Sequence, residues 1–162
     1  MESKPQIEIF AFNWDTLTYG GPQGHGIESA MPVFDYIRDH GRKVAILGST
    51  DTESLVRAIL HYNLPPHNLV RRIDFLAGSE DESSRLAIAY DHFNLRPESM
   101  LYLADSPESV WAAKNRGVQS AAVLNGRANG TLKAVKPDYV INRLSEAMSL
   151  CNDKKAVAAS TV

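Results

Sequence analysis

Five short runs that are apolar at nearly every position, the first four each followed by a stretch with helical spacing, constrain this chain more than any other feature. Residues 6–12, 43–47, 73–76, 100–104 and 119–124 read as strands. A strand buried on one face alternates apolar and polar residues, whereas these runs do not alternate, so both faces must be covered. Between them, residues 27–40 carry Ile27, Met31, Phe34 and Ile37 at helical spacing, and Gly41 then ends the helix. Asp51 or Thr52 caps a helix reaching about residue 62, and Pro65 and Pro66 break the chain after it. Further helices are predicted over 83–93, 107–116 (stopped by Gly117) and 144–150, with a last short strand at 139–141. Alternating strands and helices of this kind predict an α/β fold: a doubly wound, Rossmann-like parallel sheet of five main strands.

A length of 162 residues suits one core, and residues 1–152 are read as a single domain with 153–162 as a frayed tail. A net charge of −2 carries no sign of a nucleic-acid or membrane-surface partner. Cys151 is the only cysteine, which excludes an intrachain disulfide and a cysteine-rich zinc site. No apolar run reaches the roughly 18 residues of a membrane span. The opening Met1-Glu2-Ser3-Lys4-Pro5 lacks a signal-peptide core, so a cytoplasmic protein is expected.

Parallel sheets bind ligands beyond the carboxyl ends of their strands, near the switch in strand order. That rule selects Asn13 and Asp15 after the first strand, Gly48, Ser49 and Thr50 after the second, and Asp105 and Ser106 after the fourth. If the first strand runs on, Asn13 and Asp15 project to the same side. An aspartate at position 13 would complete a carboxylate pair suited to holding Mg²⁺ and attacking phosphorus. Asn13 removes the nucleophile and weakens the metal site.

Read in order, these segments resemble the haloacid dehalogenase superfamily, most of whose members are Mg²⁺-dependent phosphatases. The resemblance spans roughly residues 6–150. The family's first motif, D-x-D-x-T, stands here as Asn13-Trp14-Asp15-Thr16-Leu17. Its second, a Ser or Thr after strand two, falls in Val44-Ala45-Ile46-Leu47-Gly48-Ser49-Thr50. Its fourth, G-D followed by a further acid, falls in Ala104-Asp105-Ser106-Pro107-Glu108-Ser109. The stretches 110–118 and 136–141 are similar to the helix, return strand and C-terminal strand of the family. The resemblance implies a strand order of five-four-one-two-three, with the last short strand at an edge.

The departures bear on chemistry. In the family the first Asp attacks phosphorus; Asn13 is a poor nucleophile. The second Asp, the general acid and base, remains as Asp15. The phosphoryl-binding hydroxyl falls on Gly48 by counting, with Ser49 supplied by a one-residue shift. The charge-neutralising Lys falls on Glu82, and Arg85, one turn later, is the possible stand-in. The second acid of the fourth motif falls on Ser109, beside Glu108. Asn13, Asp15 and Asp105 then make a metal site expected to hold Mg²⁺ weakly or not at all. An introduced Asp-to-Asn trap is the alternative account of position 13, but Gly48, Glu82 and Ser109 are changes that no trap needs.

Only about thirty residues separate the first two motifs, and no other insertion has domain length, so no cap domain is expected. The reading is of a binding or assembly module that has lost phosphohydrolase activity. The alternative is a slow Mg²⁺-dependent phosphomonoester hydrolase. The expected occupant is a protein partner or a second copy, or a phosphorylated ligand, with no nucleic acid and no membrane. Trp14 is read either as core or as lining the site mouth; if it and Trp111 do not pack inward, Trp14, Tyr19 and Trp111 are expected at an exposed rim, where a partner engages the side of the 20–26 loop. His25 reads as a solvated loop residue, and Tyr90, His92 and Phe93 as helix packing.

Overall fold

A computed structural model describes residues 6–17, 26–61, 63, 68–124 and 130–151. Six parallel strands form one sheet: β1 (Ile9–Asn13), β2 (Lys43–Gly48), β3 (Phe75–Gly78), β4 (Met100–Ala104), β5 (Gln119–Val123) and β6 (Tyr139–Ile141). Their order is β3-β2-β1-β4-β5-β6, as the resemblance implies, with the short last strand at an edge. The chain winds outward from β1 to β3, then returns to β4 on the other side of β1. The switch point of the sheet therefore lies between β1 and β4.

Both sheet faces are covered, which is why the strands are uniformly apolar. Phe10, Phe12, Val44, Ile46, Leu101 and Leu103 face one way, toward α2 (Gly26–Asp39), α3 (Thr52–His61) and a 3-10 helix, Leu144–Cys151. Phe12 and Phe34 meet edge to face there, with centroids 4.9 Å apart. Ile9, Ala11, Ala45, Leu47, Tyr102 and Ala104 face the other way, toward α4 (Glu82–His92), α5 (Pro107–Arg116) and α6 (Gly130–Ala134). Asp51 caps α3 by accepting from Ser54 N–H at 2.9 Å, and Ser106 caps α5 by accepting from Ser109 N–H at 3.2 Å. Gly117 ends α5 at φ 74°.

Several boundaries differ from the sequence expectation: β1 begins at Ile9 rather than residue 6, and α6 was not expected. β3 lies two residues later than 73–76, because its pairing with β2 runs on to Gly48↔Gly78. A Cβ on Gly78 would stand 2.1 Å from Thr50 O, so glycine at the end of β3 permits a close passage of the backbone that follows β2. The segment 144–150 is 3-10 rather than α. A short helix α1 (Trp14–Leu17) replaces what reads as the continuation of the first strand. Of the stretch 18–26 read as a Gly-rich loop, Gly26 begins α2, while residues 18–25, Pro65, Pro66 and 153–162 lie outside the described residues.

Candidate functional site

β1 ends at Asn13, and α1 begins at the next residue, so strand alternation does not govern Asp15. Asn13 acts as a helix cap: its Oδ1 accepts from Asp15 N–H at 3.0 Å. The turn still brings the two residues together, by capping instead of by pleat. Asp15 projects outward, and its Oδ2 accepts from the Ser49 hydroxyl at 2.8 Å. Ser49 is exposed just beyond β2, whereas Gly48 is buried against Leu55, where a Cβ would meet Cδ1 at 2.9 Å. The hydroxyl that reaches the site is therefore that of Ser49.

From the other side of the switch point comes Asp105, half-buried just after β4. Its Oδ2 accepts from Thr16 Oγ1 at 3.0 Å. Thr16 stands one place before the threonine of the D-x-D-x-T pattern, and Leu17, in that threonine's place, is buried in the core. Asn13, Thr16 and Asp105 thus border a hollow whose apolar wall includes Phe12, Leu103 and Val123. Asn13, Asp15, Ser49 and Asp105 all gather at the carboxyl end of the sheet.

On the opposite face of the sheet Glu82 sits in the first turn of α4, one residue after its cap Asp81. Its Oε2 accepts from Tyr102 Oη at 2.6 Å and from Ser109 Oγ at 2.6 Å. Ser106 Oγ donates in turn to Ser109 Oγ at 3.0 Å. Ser109 and Tyr102 are buried, so three elements, α4, β4 and α5, are tied through one carboxylate oxygen. Burial pushes the Tyr102 hydroxyl far above its usual range, and the neighbouring Glu82 carboxylate adds to the effect. Arg85 is buried, with Nη1 donating to Ser79 O at 2.8 Å and Nη2 3.7 Å from Glu82. Its charge is thus directed toward Ser79 and Glu82. Glu108 is exposed.

Trp14 is a correction: its side chain is 7% exposed and packs in the core, because α1 turns it inward behind Asn13. Trp111 is exposed on α5, with Lys114 Nζ 5.9 Å from its ring centroid. Tyr19, His25 and residues 20–25 lie outside the described residues. His92 stacks on Phe75, and Phe93 meets both edge to face, in keeping with helix packing. Sequence reasoning missed Thr16 and Tyr102. The signal for Tyr102 was a hydroxyl inside an otherwise apolar strand, which needs a buried partner.

Comparison with solved structures decides the fold. A haloacid dehalogenase-like family hydrolase from Streptococcus pneumoniae superposes with a TM-score of 0.66 at 13% identity, over 90% of this chain and 99% of that one. The chain has the haloacid dehalogenase-like fold. Another protein of this fold, a 3-deoxy-D-manno-octulosonate 8-phosphate phosphatase from Moraxella catarrhalis solved with magnesium and phosphate ions, gives a TM-score of 0.62 at 15% identity, over 96% and 94%. Among curated proteins, pyrophosphatase PpaX of Bacillus cereus is 24% identical over 130 residues, covering 78% of this chain. The chain spans only 59% of the length of that relative. No protein-family profile matches the sequence. Among the described residues, no helix is long and apolar enough to cross a membrane.

Proposed function

We propose that this chain is a haloacid dehalogenase-like binding or assembly module that has lost phosphohydrolase chemistry. The observation that carries this reading is Glu82, a carboxylate fixed by two hydroxyls at 2.6 Å where the resemblance calls for a lysine. A lysine there would neutralise a phosphoryl group, whereas a carboxylate repels it. Asn13 removes the nucleophile, and Ser109, spent on Glu82, supplies no second acid. Position 13 is thus one member of a set of changes around the site, which weighs against a single introduced trap.

The donor set also suits magnesium poorly. Among the described residues no three His, Cys, Asp or Glu side chains are placed to share a metal ion. Mg²⁺ asks for six oxygens in near-octahedral array, and here a neutral amide replaces one of the family's carboxylates. About thirty residues between the first two motifs are too few for a cap domain, which supports reading the site as one that takes a macromolecule. A protein partner or a second copy is the occupant favoured, with exposed Trp111 as its anchor. A phosphorylated ligand is the other candidate, held by the Asn13 amide N–H₂, which is left to donate while Oδ1 caps α1.

The second reading is a slow phosphomonoester hydrolase, favoured by Asp15, an exposed carboxylate steadied by Ser49 and able to activate water. Turnover of p-nitrophenyl phosphate by highly purified protein separates the two. Background rates with and without Mg²⁺ are expected. Robust Mg²⁺-dependent turnover would establish the second reading instead.

A further inference from the structure

We propose that Thr16 and Ser49 do the work of a divalent cation, so that this site is assembled and held without metal. The inference deepens the non-hydrolytic reading by naming what holds the acidic loops together. Three loops, from β1, β2 and β4, bring Asp15 and Asp105 to one end of the sheet, and such groups need compensation when they gather. In this chain the compensation comes from hydroxyls. Ser49 Oγ donates to Asp15 Oδ2 at 2.8 Å, joining the β1 and β2 loops. Thr16 Oγ1 donates to Asp105 Oδ2 at 3.0 Å, joining the β1 and β4 loops. Asn13 Oδ1, the amide oxygen at the end of β1, accepts from Asp15 N–H at 3.0 Å.

Asn13 and Asp105, read as side-chain ligands, and Asp15, read as offering its backbone carbonyl, each have a side-chain oxygen that accepts from a protein donor, and two of those donors are side chains from a different loop or strand end. The placement of Thr16 is the telling detail. It stands one residue before the motif threonine, half-buried at the hollow, while Leu17 turns into the core. Moving the hydroxyl by one residue aims it at Asp105. Thr16 is thus a positioning residue, whose role is to satisfy Asp105 and hold the β4 loop against α1.

The test compares wild type, Thr16→Val and Thr16→Ser by thermal unfolding in EDTA and in about 10 mM MgCl₂, with Mn²⁺ binding followed by electron paramagnetic resonance. Wild type and Thr16→Ser should melt within about 1–2 °C of each other and be indifferent to Mg²⁺. Thr16→Val keeps the shape but frees Asp105 Oδ2. It should melt lower in EDTA, regain stability with Mg²⁺, and bind Mn²⁺ roughly tenfold more tightly than wild type, the factor that one repaired interaction of about 1.4 kcal/mol gives. Ser49→Ala, which frees Asp15 Oδ2, should respond in the same direction if Thr16→Val does not fold. Micromolar Mn²⁺ binding by wild type, or Thr16→Val and Ser49→Ala variants no more responsive to metal than wild type, would overturn the proposal. Metal-independent hydrolysis of a phosphoester would overturn the non-hydrolytic reading alone and leave this one standing.

Discussion

Replacing Glu82 with alanine tests the part of the molecule where site and stability meet. The Glu82 carboxylate takes two hydroxyl hydrogen bonds of 2.6 Å, from Tyr102 and Ser109. Tyr102 is fully buried and Ser109 nearly so, so neither hydroxyl has solvent to turn to once the acceptor is gone. A buried donor left unpaired costs about 1–3 kcal/mol, so two would cost roughly 2–6 kcal/mol. Relief of the partly desolvated carboxylate offsets some of this, leaving an expected loss of about 2–4 kcal/mol. For a chain of this size that lowers Tm by roughly 5–12 °C. Tyr102→Phe, which removes one donor and leaves Ser109 in place, should cost about 1.5 kcal/mol. Because Tyr102 and Ser109 share an acceptor, Tyr102→Phe and Ser109→Ala should not add, with a coupling of about 0.5–1 kcal/mol or more. Urea and thermal unfolding followed by circular dichroism measure all of these. A Glu82→Ala variant within about 0.5 kcal/mol of wild type would refute the claim that this carboxylate ties α4, β4 and α5 together.

The same network sets a pH limit. Burial raises the folded-state pKa of Tyr102 above the ordinary 10.0, so its contribution is present below that pH and is lost as pH rises beyond it, when the unfolded chain ionises. Tyr102→Phe should flatten the alkaline loss of stability. Asp51 and Asp81 have pKa values lowered by their hydrogen bonds from Ser54 and Ser84, so their capping contribution is complete above 3.8 and fades as pH falls below it; Asp81→Asn should weaken that acid dependence. Gly78→Ala should unfold the edge of the sheet, since a Cβ 2.1 Å from Thr50 O cannot be accommodated without moving backbone, and a loss of several kcal/mol in urea titration is expected. Cys151 is 2% exposed and its thiol is pushed up to about 12 by burial, so it should resist thiol reagents at neutral pH until the chain unfolds.

The sheet could be read from the sequence because covering both faces leaves every strand uniformly apolar, a pattern that Phe10–Phe12 and Leu101–Leu103 display without ambiguity. The strand-end rule then located Asn13, Ser49 and Asp105 with no side-chain information. Local geometry was harder to read. The Asn13-to-Asp15 spacing suited a strand, yet the asparagine capped a helix, and nothing in the spacing separates those two uses of one side chain. Trp14 followed from the same error, since a strand would have turned it elsewhere. The third strand reads two residues early because the close passage of Thr50 that Gly78 permits is a tertiary fact. Arg85 reads as the stand-in for the lysine, but its guanidinium is held by the Ser79 carbonyl and lies beside Glu82, one turn earlier on the same helix.

The measurement that bears most directly on the central claim is Mg²⁺-dependent phosphomonoester hydrolysis by the Asn13→Asp variant. If loss of chemistry is shared among Asn13, Glu82 and Ser109, restoring the carboxylate alone leaves the site without a charge-neutralising cation, a deficit that costs on the order of 10²–10³ in rate for one electrostatic group. Turnover should therefore stay near that of wild type. High activity from this single change would contradict the account and would show that only position 13 had been altered in a working enzyme.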